Sequence, residues 1–236
     1  MPNRAGRQAE SGSAEKSLRA MMAAAYRYSE VSRIREKIVE ELRSGKMHTV
    51  MIASPHDGTG TTAVAALVGY STAYFAGMKV LLADLNLRRP ELHLPFGFSE
   101  AKGFGEVIKG ELSWKEAVKD TNLSTLKVLT AGQADVDLSR YVRRSKLVQL
   151  FREMSEEYDM IMVDSSPLLV HNRNNVDPVL LSVVCDMVVM VVQNNKTRKT
   201  DFRAAVESID KAGGKVTGII QNQQFQKSIS KLLWGL

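Results

Sequence analysis

Short, almost unbroken apolar runs recur along this chain: TVMIAS at 49–54, KVLLADL at 79–85, LKVLTA at 126–131, MIMVDSS at 160–166, MVVMVVQ at 187–193 and VTGIIQN at 216–222. A strand with one wet face alternates apolar and polar residues, whereas a strand apolar at nearly every position must be covered on both faces. The stretches between the runs, such as LVQLFREMSEEY and KTDFRAAVESIDKAG, carry helical periodicity instead. Parallel strands need such crossovers, and the crossovers are right-handed. The alternation therefore predicts an α/β fold, a doubly wound and mostly parallel sheet in a three-layer sandwich. A length of 236 residues fits one such domain with short extensions.

The extensions are visible in composition. Residues 1–16 are rich in Gly, Ser, Ala and charge and read as a flexible tail. Residues 17–46 form an N-terminal helical segment, with Leu18, Met21, Met22, Ala25, Val31, Ile34, Ile38 and Leu42 at helical spacing and a stop near Ser44-Gly45. The sandwich domain is expected over 47–224, followed by an amphipathic segment at 225–236 whose Phe225, Ile229, Leu232, Leu233 and Leu236 share a face. That last segment suits a membrane surface, a partner or the domain itself. The net charge of +6 is scattered and aromatic residues are sparse, so no nucleic-acid partner is expected. A single cysteine, Cys185, rules out an intrachain disulfide and reads as a small buried hydrophobe in a reducing compartment. No apolar run approaches the roughly 18 residues that span a bilayer, and the first residues lack a signal-peptide core, so a cytoplasmic location is expected.

In doubly wound sheets ligands bind at the carboxyl ends of the strands. The unusual polar residues gather there: His56-Asp57-Gly58-Thr59-Gly60-Thr61-Thr62 after the first run, Asp84 and Asn86 after the second, and Asp164 at the end of MIMVDSS. A glycine-rich turn between strand and helix aims backbone N–H groups at phosphate oxygens. In the P-loop form, a lysine reaches the outer phosphates and the next Ser or Thr ligates Mg2+. Gly58, Gly60 and Thr62 stand in that register, but Thr61 occupies the lysine position and Pro55 the place of the first glycine. The nucleotide cradle is accordingly expected from Gly58, Thr59, Gly60, Thr61, Thr62 and Ala63, with Thr62 and Asp164 holding Mg2+, the latter through water. Asp84, Asn86 and Arg88 fall on alternate positions of a strand end and are expected to point the same way. His48, His93 and His171 have no partners at metal-ligand spacing, so no metal beyond Mg2+ is expected.

Several motifs together resemble a known family. SPHDGTGTTA lines up with SPxxGEGKST, LLADLNLRRPELH with DADLRRPxLH, and YDMIMVDSSP with YDxVIIDTPP. KGFGEVIKGELSWKEAV, LKVLTAG and VTGIIQN are weaker echoes of GLSDVLxGExxxEEAI, LxVLPAG and VxGVVLN. From about residue 29 to 222 the chain thus resembles the bacterial tyrosine kinases of capsule and exopolysaccharide systems, the CpsD/CapB type, within the MinD/ParA group of P-loop proteins. The resemblance implies ATP or ADP with Mg2+ as cofactor and Asn222 against the adenine. It further implies a membrane-bound polysaccharide chain-length or co-polymerase protein as partner, a homo-oligomer, and a peripheral position at the inner face of the cell membrane.

The chain also departs from the pattern. Thr61 replaces the lysine, Asn86 replaces the second aspartate of the DxD pair, HNRNNVDP at 171–178 carries an apparent insertion, and QKSISKLLWGL has no tyrosine. The last tyrosine is Tyr158, while Tyr26 and Tyr28 lie in the N-terminal helical segment. The family's assembly motif EX2RX2R keeps Glu30 and Arg33 but has Glu36 in its third place. Asp84 remains as a candidate base and Arg88 as a candidate substitute for the lost charge. These features predict a nucleotide-binding, catalytically impaired relative that regulates or assembles a polysaccharide polymerisation and export system. One alternative is an active tyrosine autokinase or ATPase with a compensated loop. The other is a MinD/ParA-like positioning ATPase, against which His56 stands where that group has its signature lysine.

Overall fold

A computed structural model describes residue 23 and residues 29–45, 48–98, 102–133, 138–170, 175–194 and 196–222. The expected tail at 1–16, the segment at 225–236, Tyr26, Tyr28 and residues 171–174 of the insertion lie outside the described residues.

The chain enters through helix α1 (Ser29–Ser44) and then alternates: β1 (Thr49–Ala53), α2 (Thr61–Phe75), β2 (Val80–Asp84), α3 (Phe104–Lys109), α4 (Trp114–Ala117), β3 (Val118–Asp120), β4 (Leu126–Leu129), α5 (Arg144–Ser155), β5 (Met160–Asp164), α6 (Pro178–Val184), β6 (Met187–Gln193), α7 (Lys199–Ala212) and β7 (Gly218–Asn222). The strands form one sheet in the order β3-β4-β2-β5-β1-β6-β7. All its pairings are parallel except β3 with β4. The expected doubly wound, mostly parallel sheet is present. The seventh strand, β3, went unforeseen because VKD is three residues long, lacks an apolar run and lies half-exposed at the edge.

The uniformly apolar strands divide their side chains between two cores by simple alternation. Val50 and Ile52 of β1, Val80 and Leu82 of β2, and Met160 and Met162 of β5 face α1 and α2. Met51 and Ala53, Leu81 and Ala83, and Ile161 and Val163 face α3 to α7. Helix α2 lies between the sheet and α1, which is why its sequence, TTAVAALVGYSTAYF, is apolar around most of its circumference. Gly69 sits against β2: a Cβ there would lie 2.4 Å from Leu82 Cδ2. Gly69→Ala is therefore expected to destabilise the fold by about 1–3 kcal/mol in urea denaturation, the usual cost of overpacking. A loss below about 0.5 kcal/mol would mean that Leu82 repacks freely.

The β1–β5–β2 order brings three strand ends together. Asp84 and Asp164 stand opposite one another in register at the ends of β2 and β5. Beyond Asp84 the chain leaves the sheet. Leu85 N–H donates to the Asp164 carbonyl (2.9 Å) and Asn86 N–H turns back to Asp84 Oδ1 (3.1 Å). The expectation that Asp84, Asn86 and Arg88 continue a strand with a shared direction is thus corrected: a turn, closed by Arg89 N–H on the Asn86 carbonyl, replaces it. The buried Asp84 carboxylate draws the backbone N–H groups of Asn86 and Leu92 to itself, and this local bonding takes the place of further ladder pairing.

Candidate functional site

The loop between β1 and α2 holds Gly58 at φ 68° and Gly60 at φ 88°. Residues with a Cβ avoid that region, so these glycines let successive N–H groups turn toward a common point. Gly60 is the N-cap of α2, and no side chain caps the helix start. The first-turn N–H groups and the positive end of the helix dipole are left available for an anion. Backbone bonds from below hold the loop in place: Leu168 N–H to the Ser54 carbonyl (2.8 Å) and Leu169 N–H to the Pro55 carbonyl (3.1 Å). Above the loop opens a cleft of about 250 Å³, lined by Ser54, His56, Asp57, Gly58, Gly60, Thr61, Thr62, Ala63, Asn86, Arg89, Glu91, Ser165 and Pro167.

Asp84 and Asp164 are both fully buried. Asp84 accepts from the backbone N–H of Asn86 (3.1 Å) and Leu92 (3.1 Å). Burial nevertheless pushes it up to about 7, against the pull of those N–H groups. Neither oxygen of Asp164 has a partner at hydrogen-bond distance. Burial first, and then the charge of Asp84, push its carboxyl well above the usual range, and the nearby Thr62 hydroxyl is the one group that eases ionisation. Asn86 Oδ1 is also buried without a donor. Orphaned buried oxygens are costly, and a cation on their open side relieves the cost.

Oxygen donors of this kind suit Mg2+. Among the described residues no group of three His, Cys, Asp or Glu is arranged around a metal position. An ion held by Thr62 and Asp164 would complete its shell with water and phosphate oxygens, the usual habit of Mg2+.

The other loop residues are tied to one another. The Thr61 hydroxyl, at the lysine position, lies 3.0 Å from that of Thr59, and both residues are buried. Asn222, at the end of β7, donates its amide to the Thr59 carbonyl (2.8 Å), so its side chain braces the loop; it is not among the residues lining the cleft. The Arg88 guanidinium pairs with Asp57, while Arg89 lines the cleft. His56 Nε2 lies 2.9 Å from Asp201 Oδ2 in the first turn of α7, and the His56 partnership holds that carboxyl below its usual range. Asn175, from the insertion, accepts from the N–H of Leu87 (3.1 Å) and so steadies the turn after β2.

Sequence spacing carries no sign of Asp201 or of Lys196, whose ammonium donates to the Gly58 carbonyl at 3.0 Å across 138 residues. Only the sheet order, with β6 beside β1, places the segment after β6 next to the loop. On α1, Glu30, Arg33 and Glu36 are exposed. Arg35 instead packs on its own domain, donating to Ser71 Oγ (3.0 Å) and lying 5.2 Å over the Phe75 ring.

No protein-family model matches the chain. It is 28% identical over 190 residues to the putative tyrosine-protein kinase CapB of Staphylococcus aureus, covering 80% of this chain and 81% of that protein. It is 31% identical over 179 residues to the tyrosine-protein kinase YwqD of Bacillus subtilis, covering 75% and 73%. The kinase domain of the Escherichia coli tyrosine kinase ETK shares the fold with a TM-score of 0.75 at 22% identity, over 82% of this chain and 74% of that one. The septum site-determining protein MinD of Pyrococcus horikoshii, in complex with Mg-ADP, does so with a TM-score of 0.61 at 22% identity, over 78% and 73%.

Proposed function

This chain belongs to the family of bacterial tyrosine-protein kinases that includes YwqD, and from that premise we propose that it binds ATP or ADP with Mg2+ in the cleft above Gly58 but transfers phosphate poorly. Its role in this reading is regulatory or structural, as a subunit docked on a membrane-bound polysaccharide co-polymerase and placed by that partner at the inner face of the membrane. Among the described residues no helix is long and apolar enough to cross a membrane.

One observation carries the reading. The backbone cradle and the orphaned Asp164 are retained, while the lysine position holds a threonine whose hydroxyl is taken up by Thr59. Binding and transfer draw on different groups. Backbone N–H groups from Gly58 to Ala63 hold phosphate whatever the side chains are, and Thr62 with Asp164 would hold the metal. When bound, the Mg-nucleotide supplies the phosphoryl group and neutralises charge on it. Positive charge aimed at the outer phosphates matters most in the transition state, where losing one preorganised donor typically costs on the order of 10²–10³ in rate. Asn86 adds to the deficit, since an amide is neither a base nor an anionic ligand. Calorimetric titration is expected to show Mg2+-dependent binding of ATP and ADP, roughly ten- to a hundredfold weaker than in a lysine-bearing relative. Tyrosine autophosphorylation at that relative's rate would sink the proposal.

A second reading, an active autokinase or ATPase, is favoured by Asp84. A carboxyl pushed up to about 7 is matched to taking a proton near neutral pH. It requires turnover that collapses on Asp164→Ala and rises little on Thr61→Lys.

A further inference from the structure

The turn after β6 is closed by three bonds on one residue. Gln193 N–H donates to Thr197 Oγ1 (3.0 Å), and the Lys196 and Thr197 N–H groups donate to the Gln193 carbonyl (3.2 and 2.9 Å). This turn delivers Lys196 to the loop, where its ammonium meets the Gly58 carbonyl at 3.0 Å. A Cβ on residue 58 would stand 2.7 Å from that ammonium, so glycine there serves both the left-handed backbone and the approach of the lysine. Five residues further on, Asp201 holds His56. The β6–α7 junction therefore grips the loop at two points, one of them cationic.

The basic side chains around the loop are not equivalent. Arg88 is committed to Asp57, and His56 to Asp201. Arg89 lines the cleft beside Glu91. Lys196 touches the loop, and among the described residues its ammonium meets a neutral carbonyl and no carboxylate pairs with it. Its charge is therefore not neutralised. The side chain is exposed, and a four-carbon stem lets the ammonium move from a carbonyl to a nearby phosphate oxygen at little cost.

We propose that Lys196 supplies, from the turn after the neighbouring strand β6, part of the charge on the outer phosphates that a lysine at position 61 would have supplied from within the loop. This inference rests on the nucleotide reading above. It makes nucleoside di- and triphosphates, rather than monophosphates, the ligands of the cleft, because only they carry the phosphates that the ammonium would reach.

The test is calorimetric titration of Mg-ATP, Mg-ADP and AMP into the wild-type protein and into Lys196→Ala, Lys196→Arg and Arg89→Ala. Thermal denaturation serves as the check that removing an exposed side chain leaves the fold intact. Lys196→Ala is expected to weaken Mg-ATP and Mg-ADP roughly tenfold or more while AMP stays within about twofold, the factor being that of one charge-assisted hydrogen bond. Lys196→Arg should stay within about threefold of wild type, and adding Thr61→Lys to Lys196→Ala should restore the lost affinity. A protein that binds Mg-ATP and loses nothing on Lys196→Ala overturns the assignment alone, as does a loss seen only in Arg89→Ala. A wild-type protein that takes up no nucleotide overturns the proposed function and this inference with it.

Discussion

Thr61→Lys is expected to raise affinity for Mg-ATP roughly tenfold or more, and ATP hydrolysis by as much as about 10²-fold. Position 61 opens α2 at its uncapped end, where a lysine side chain lies beside the glycine turn and joins the helix dipole in attracting phosphate. The exchange costs the Thr59–Thr61 hydroxyl pair, a neutral hydrogen bond of about 0.5–1.5 kcal/mol, and gains a charged one of about 1.5–3 kcal/mol. Asn222 still fixes the Thr59 carbonyl in the variant, so the loop keeps its shape. If Lys196 already neutralises part of the phosphate charge, the gain is larger in the Lys196→Ala background than in wild type, because two cations on one anion do not add. Titration and a phosphate-release assay on the single and double variants measure both effects. An affinity unchanged by Thr61→Lys in both backgrounds would mean that phosphate does not lie over this helix start.

Asp164→Asn should have opposite effects on stability and on binding. In the protein without nucleotide, Asp164 is a fully buried carboxyl with neither oxygen partnered, and Asp84 faces it across the register. Replacing it with an amide removes the like-charge pair, so the variant's melting temperature at pH 8 is expected to equal or exceed that of wild type. Mg2+-dependent nucleotide binding should be lost, because an amide no longer attracts the ion. The sign of the pH dependence follows from the same pair. Asp84 is raised from 3.8 to about 7, so the folded state binds the proton more tightly than the unfolded state does. Its contribution to stability is complete below 3.8 and disappears as pH rises through about 7. Asp164, shifted the same way, adds to the slope. Melting temperature without Mg-nucleotide should therefore fall as pH rises over this window, less steeply in Asp164→Asn, and saturating Mg-ADP should flatten the wild-type curve. A steep loss of stability in Asp164→Asn at pH 8 would show that the carboxylate pair is already compensated within the fold.

Much of this fold is legible in the sequence because parallel strands buried on both faces leave a mark that few other structures share. TVMIA, VLLAD, MIMVD and MVVMVVQ are apolar at nearly every position, and the structure sends alternate residues of each into opposite cores. β3 left no such mark, since an edge strand of three residues buries little. Strand periodicity fails to predict the direction of the chain after Asp84 because the Asp84 carboxylate competes for backbone N–H groups.

For the candidate site, the sequence by itself determined the local chemistry. Gly58, Gly60, Thr62 and Asp164 carry it in their residue types, and the absence of a charge at Thr61 is plain from the register alone. Tertiary structure decided which distant groups join the loop. The order β5-β1-β6-β7 sets Asp164, Lys196 and Asn222 around one turn although they are far apart in the chain. It also spends Arg88 on Asp57 and His56 on Asp201, pairings that no spacing rule reports. The physical reason is that a glycine turn follows from φ and ψ within a few residues, whereas the charge around it is a sum over every strand end the sheet brings near.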